Sequence, residues 1–186
     1  RRQRQMCIRD RNIQGALANG IQVGVYFYSG ASNAREAYDE ASYCISLIRD
    51  YQITYPVAFD WELDGDYDSV TEACETFCNV ISSYGYQPMV YSNRNRWYNN
   101  FDGEKIASKY KVWMAAYFGK FYYDSVRWTY GDELPNFRYH YDMWQYSSRC
   151  YVDGISGQVD VDIAFFGYAN YHVDTCLLYT SPSPRD

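Results

Sequence analysis

Asp60 and Glu62 close the apolar run 55–61 (YPVAFDW), two carboxylates with a single residue between them. On a strand, residues two apart point to the same face, with Cα atoms roughly 6.5 Å apart. Two carboxylates so placed raise one another's pKa, leaving one protonated near neutral pH as a general acid. Glycoside hydrolysis uses that arrangement. A polar strand end running into a loop would read the same way, so the pair alone does not fix the chemistry. The run 158–162 (QVDVD) puts two further carboxylates, Asp160 and Asp162, on one face of a last strand; a solvated edge strand is the plainer alternative. Trp144, Gln145 and Tyr146 end another strand, and Trp113 and Tyr117 share a face on a fourth. Sugar sites pair flat aromatic platforms with a few placed polar groups, although a strand aromatic is more often core.

The elements that must hold these residues alternate along the chain. Asn12 to Asn19 reads as a helix end stopped by Gly20, and Ile21 to Tyr28 (IQVGVYFY) as a buried strand. Ser32 to Tyr51 carries Ala34, Ala37, Ala41, Cys44, Ile45 and Ile48 at helical spacing, and Tyr55 to Trp61 is a second strand. Ser69 and Glu72 predict a capping box for a helix with the apolar face Ala73, Phe77, Val80 and Ile81, ended by Gly85. Gln87 to Ser92 is a third strand; Val112 to Tyr117, Asp142 to Tyr146 and Val159 to Phe165 supply three more. Strand–helix alternation implies right-handed crossovers and a parallel sheet. The expectation is one α/β domain, a barrel with a helix-poor second half. In such a barrel catalytic groups gather at the C-terminal strand ends, where Asp60 and Glu62 fall.

Composition excludes several classes. A net charge of −6 over 186 residues argues against a nucleic-acid partner, whose footprint is basic. No apolar run approaches the roughly 18 residues of a membrane span, so no membrane insertion is expected. The two ends read differently from the middle. Residues 1–10 (RRQRQMCIRD) and 176–186 (CLLYTSPSPRD) match translated adapters of transposon-based sequencing libraries, and a basic start without an apolar core is no signal peptide. Setting these ends aside deepens the charge to −9 and leaves Cys44, Cys74, Cys78 and Cys150, expected as reduced thiols rather than a disulfide framework. Asp64, Asp66, Asp68 and Glu75 have the spacing of an EF-hand loop, but Ser69 stands where that loop needs glycine. His140 and His172 complete no triad or zinc set. Neither metal nor cofactor is expected.

The order GVYFYS, YPVAFDWE, GYQPMVYSN, VWMAAY, WQYSS and GISGQVDVDIAFFG resembles the glycoside hydrolase family 25 lysozymes, from about Ile13 to Tyr168. The resemblance implies an irregular TIM-like (β/α)5(β)3 barrel, here lacking its first strands. It implies hydrolysis of the β-1,4 bond between N-acetylmuramic acid and N-acetylglucosamine in bacterial peptidoglycan, at the cell wall and by a monomer. Glu62 then corresponds to the general acid, Asp60 to its partner carboxylate and Asp160 to a third acidic residue. Asp162 falls where the family more often has Asn. Tyr28, Tyr91, Trp113, Tyr117, Trp144 and Gln145 correspond to positions lining the sugar groove. A glycan-binding domain without turnover and a chitin-type glycosidase are the alternatives.

The family carries one more active-site Asp on its first barrel strand, which residues 11–175, the expected partial catalytic domain, do not supply. At roughly 30 residues per β/α unit, about two units are wanting, and a barrel short of two strands exposes two unpaired edges. Residues 1–186 expressed alone are therefore expected to show neither a cooperative melt nor muralytic activity, although the parent gene encodes a lysozyme. Calorimetry and a cell-wall clearing assay check this, and finding both properties would overturn it.

Overall fold

A computed structural model describes residues 2–124, 127–129 and 131–166, with side chains from residue 8 onward. Tyr168, His172 and the expected adapter run 176–186 lie outside the described residues. The elements are α1 (Arg2–Ala18), β1 (Val25–Tyr28), α2 (Ala34–Ile48), β2 (Val57–Asp60), α3 (Tyr67–Ser83), β3 (Pro88–Asn93), α4 (Arg94–Asn99), α5 (Gly103–Ala107), β4 (Lys111–Ala115), α6 (Gly119–Tyr123), β5 (Met143–Cys150) and β6 (Val159–Ala164). The strands neighbour one another in sequence order. Their packing divides the chain into two compact units, residues up to 90 with 100–102, and residues 91–99 with those from 103 on.

In the first unit β1 and β2 pair in parallel, Val25 opposite Val57 and Tyr28 opposite Asp60. Every residue of β2 is buried, as a strand covered on both faces requires. Helix α2 buries Ala37, Ala41, Cys44, Ile45 and Ile48, and packs against α3, which buries Val70, Ala73, Cys74, Phe77, Cys78 and Ile81. Small residues on both faces let the helices approach, while Phe77 fills the space against Phe59 at 5.1 Å and Phe27 at 6.0 Å between ring centroids. The four described cysteines are buried free thiols.

Three local readings are corrected. Strand β1 begins at Val25 rather than Ile21, because the Val23 carbonyl accepts both the Thr54 and Tyr55 N–H groups and the regular ladder starts with Val25 N–H on the Pro56 carbonyl. Helix α3 is capped by Asp66 rather than Ser69: the Asp66 carboxylate accepts from the Ser69 N–H at 3.0 Å and hydroxyl at 2.8 Å. The short helices α4, α5 and α6 were not expected, since five or six residues with one or two buried side chains leave no periodic signal.

In the second unit β4 and β5 pair in parallel and β5 and β6 antiparallel, so the helix-poor half ends in a hairpin-like pair. Strand β5 is irregular, its register shifting between Gln145 and Ser147 and again between Ser147 and Cys150.

Gly24 tests the first unit. A Cβ there would sit 2.8 Å from the Pro56 carbonyl oxygen and 2.8 Å from the Tyr55 Cβ, atoms that cannot swing aside. In the full-length protein carrying this sequence, Gly24→Ala is expected to destabilise by about 1–3 kcal/mol. Gly15→Ala, inside α1 with nothing within 4 Å, is expected to be neutral or to stabilise by up to about 1 kcal/mol. Denaturant midpoints check both.

Candidate active site

In the first unit the chain leaves β2 as Asp60, Trp61 and Glu62. Trp61 is 2% exposed and turns into the interior, where its ring packs so closely over Gly65 that a Cβ there would lie 3.1 Å from it. Asp60 ends β2 and Glu62 follows in the loop, close enough for its charge to act on Asp60. Asp60 is 7% exposed, and its Oδ1 has no hydrogen-bond partner among the described residues. Burial, with the nearby Glu62 charge adding to it, pushes the Asp60 carboxyl up from 3.8 to about 7. Glu62, half-buried in the loop beyond the strand, is the outer member of the pair. Tyr28, opposite Asp60 in the β1–β2 ladder, is 54% exposed and flanks it.

A latch invisible in the sequence steadies the loop after β1. The buried Ser29 hydroxyl donates to Glu40 Oε2 at 2.5 Å, and the Gly30 N–H donates to Glu40 Oε1 at 3.0 Å. The Ser29 N–H in turn holds the Asp60 carbonyl at 2.8 Å. Glu40 thus reaches from α2 to the strand end that carries Asp60. With Glu36 and Asp39 on the same helix, nothing local marks Glu40 for this role.

In the second unit the expected residues come together around Gln145, which is 5% exposed. Its Oε1 accepts from the Tyr91 hydroxyl at 2.8 Å and, in a shorter bond, from the Tyr117 hydroxyl. The Tyr91 ring meets Trp113 edge-on at 4.7 Å, and the Trp113 indole N–H donates to Asp162 Oδ1 at 2.7 Å. Asp162 pairs with Gln145 in the β5–β6 ladder. Burial pushes the Asp162 carboxyl up to about 7, the indole bond opposing and the Asp160 charge adding to the shift. Burial also lifts the Tyr117 phenol, to about 12.

Two expected residues stand apart from this cluster. Trp144 is 0% exposed, stacked on Phe118 at 5.5 Å with its indole N–H on the Ala116 carbonyl at 2.9 Å, so it presents no face to a sugar. Asp160 lies exposed on β6, whereas Asp162 is the one held by a partner. A cleft of about 970 Å³ opens in the first unit between α1, β1 and α2, with walls that include Ile13, Phe27, Leu47 and Ile48. Neither Asp60 nor Glu62 lines it, so void volume and carboxylate chemistry do not coincide.

The raised Asp60 pKa has a measurable consequence. Below about pH 4 the carboxyl is protonated folded and unfolded; between about 4 and 7 only the unfolded chain releases the proton, so stability falls as pH rises. Above about pH 7 the burial cost is complete, up to about 4 kcal/mol for a shift of this size. Asp60→Asn is therefore expected to stabilise the full-length protein more at pH 8 than at pH 5, as read by thermal melts. An equal gain at both pH values would overturn this.

Comparison with known proteins places these features. The family model for "Glycosyl hydrolases family 25" matches residues 5–155. A lysozyme of Streptococcus phage Cp-1 is 29% identical over 137 residues, spanning 68% of this chain and 37% of that protein. A D-alanyl-L-alanine endopeptidase of Streptococcus phage B30 is 29% identical over 160 residues, spanning 83% of this chain and 34% of that protein. Among solved structures, the modular autolysin LytC of Streptococcus pneumoniae, in complex with a synthetic peptidoglycan ligand, aligns with a TM-score of 0.63 and 28% identity over 81% of this chain and 35% of that one. The chain spans about a third of the length of these relatives. The shared fold agrees with the expected mixed α/β architecture, parallel strands followed by an antiparallel pair. With 151 consecutive residues matched, the chain belongs to glycosyl hydrolase family 25.

Proposed function

We propose that this chain is catalytic-domain sequence of a muramidase, which hydrolyses the β-1,4 bond between N-acetylmuramic acid and N-acetylglucosamine in bacterial peptidoglycan. The observation that carries the reading is the Asp60–Glu62 pair. One carboxyl is buried and keeps its proton to about pH 7, while the other stands half-exposed two residues on. Such a pair in unlike surroundings is what separates acid from base in glycosidases. Family membership and the peptidoglycan ligand of the autolysin relative support the substrate class.

Glu62 donates a proton to the glycosidic oxygen as its bond to the anomeric carbon breaks. Asp60, the partner carboxyl, is buried beside it and holds a proton over the acid range. The substrate's own N-acetyl oxygen attacks the anomeric carbon, a recognised variant of the reaction, and water opens the ring so formed. Asp160 steadies the positive charge of that intermediate. Tyr28, Tyr91, Trp113, Tyr117 and Gln145 contact the sugars, while Trp144 backs them from the core. The protein works as a monomer on the wall outside the cytoplasm. No helix among the described residues is long and apolar enough to cross a membrane.

The test is zymography on purified cell walls with the full-length protein carrying this sequence. Glu62→Gln is expected to lower the release of new reducing ends by about 10²–10⁴-fold, the usual contribution of a general acid, while wall binding persists. Clearing by the variant equal to wild type would remove Glu62 from its role. Wall binding by wild type without new reducing ends would favour a binding domain. New amino groups in place of reducing ends would favour the peptide-cleaving chemistry of the phage B30 relative.

A further inference from the structure

Trp113 and Asp162 are joined across an intervening strand. Ala115 of β4 stands opposite Gln145 of β5, and Gln145 opposite Asp162 of β6, so the three share one face of the sheet. Trp113, two residues before Ala115, lies on that face as well. Its indole N–H reaches Asp162 Oδ1 at 2.7 Å. Neighbouring strands lie about 4.8 Å apart, so the two side chains bridge about 9.6 Å from β4 to β6. A ring that helps span this gap has to lie across β5 rather than stand out from the sheet.

Tyr91 holds the same indole a second time. Its ring meets Trp113 at 4.7 Å and 64°, and its hydroxyl is fixed in turn on the buried Gln145 carbonyl oxygen. Trp144, on the next strand, is the contrast. It is wholly buried and gives its indole N–H to a main-chain carbonyl, that of Ala116, as a core tryptophan does. Trp113 is only half-buried, and its partner is a side chain from a strand that does not neighbour its own. The strand pairing needs no such tether. Burial raises the Asp162 carboxyl to about 7, with the indole bond working the other way, so the acid stands where its charge is disfavoured. An apolar residue would fill that position at less cost. What the carboxyl secures is the direction of a half-buried flat ring.

We propose that Asp162 is a positioning residue for substrate binding, pinning the Trp113 indole across β5 so that its ring is a fixed platform for a sugar. The inference rests on the muramidase reading above and deepens it, by naming the group that aims one of the sugar contacts. Flat aromatic surface suits the apolar side of a sugar ring. A platform fixed beforehand loses less freedom when the sugar arrives, which tightens binding without touching the bond-breaking step. Asp162 acts through the indole and touches no substrate atom.

A double-mutant cycle on the full-length protein carrying this sequence tests it, with KM and kcat read from reducing-end release on purified peptidoglycan. D162A is expected to raise KM about three- to tenfold with kcat little changed, the effect of setting one ordered side chain free. D162N keeps an acceptor oxygen for the indole and is expected to bring KM back to within about twofold of wild type. W113F keeps a ring but has no N–H to give. It is expected to raise KM by itself, and adding D162A to it is expected to change KM by less than about twofold. Melting curves establish that the variants are folded, and D162L, which fills the volume without an acceptor, replaces D162A if the latter is not. Equal KM increases from D162A in the wild-type and W113F backgrounds overturn the inference, because Asp162 then acts without the indole. An unchanged KM, a loss confined to kcat, or a D162N as impaired as D162A also overturns it. Each of these leaves glycan hydrolysis standing. A wild-type protein that releases no reducing ends from peptidoglycan overturns the muramidase reading and this inference with it.

Discussion

A carboxyl group is held in the interior at the end of a fully buried strand, and the first unit is organised around that cost. Asp60 can sit there because Val57, Ala58 and Phe59 are packed on both faces and bring it in with them. Trp61, the next residue, is driven inward by its own apolar surface, and Glu62 follows it in the loop, near enough for its charge to reach Asp60. An unpartnered Oδ1 is not what stability alone would select. It keeps a proton on the molecule at a pH where an ordinary aspartate has lost it.

The second unit solves a different problem, holding polar groups in a mostly aromatic setting. Gln145 is buried on β5, and its carbonyl oxygen takes two phenol hydroxyls, from Tyr91 at the inner end and Tyr117 at the rim. Trp113 gives its indole N–H to Asp162 and its ring to Tyr91, so one side chain ties β3, β4 and β6 together. Beneath them Trp144, Phe118, Phe121 and Tyr146 form a packed layer that fixes where the rim groups stand. A large aromatic fraction, 20% of the chain, is thus divided between a core that supplies rigidity and a rim that supplies flat contact surface.

On the proposed muramidase reading, the acidic balance constrains how the protein meets peptidoglycan. A chain of net charge −6 gains nothing from long-range attraction to an anionic wall. Affinity has to come from short-range contacts, stacking and directed hydrogen bonds, and the few cations in useful positions matter out of proportion to their number. Lys111 is already committed to Asp142 at 3.0 Å and Lys120 to Asp132 at 2.7 Å.

Several features were legible in the sequence because they are local. Strand positions followed from apolar β-branched and aromatic runs, helices α2 and α3 from the spacing of Ala37, Ala41 and Cys44 and of Ala73, Phe77 and Ile81, and helix ends from Gly20 and Gly85, both at positive φ. The closeness of Asp60 and Glu62 follows from their separation of two residues along the chain. Whatever depends on which strand lies beside which was decided only by the tertiary structure. Sequence placed Trp144 and Trp113 alike on strands, yet packing sends one into the core and turns the other towards Asp162. The resemblance favoured Asp160 over Asp162, whereas the antiparallel pairing with β5 sets Asp162 beside Gln145, half-buried, and leaves Asp160 exposed. Alternation sets only which face of its own strand a residue occupies. Burial, hydrogen-bond partners and proton affinity are properties of the neighbours across the sheet, and those are chosen by the fold as a whole.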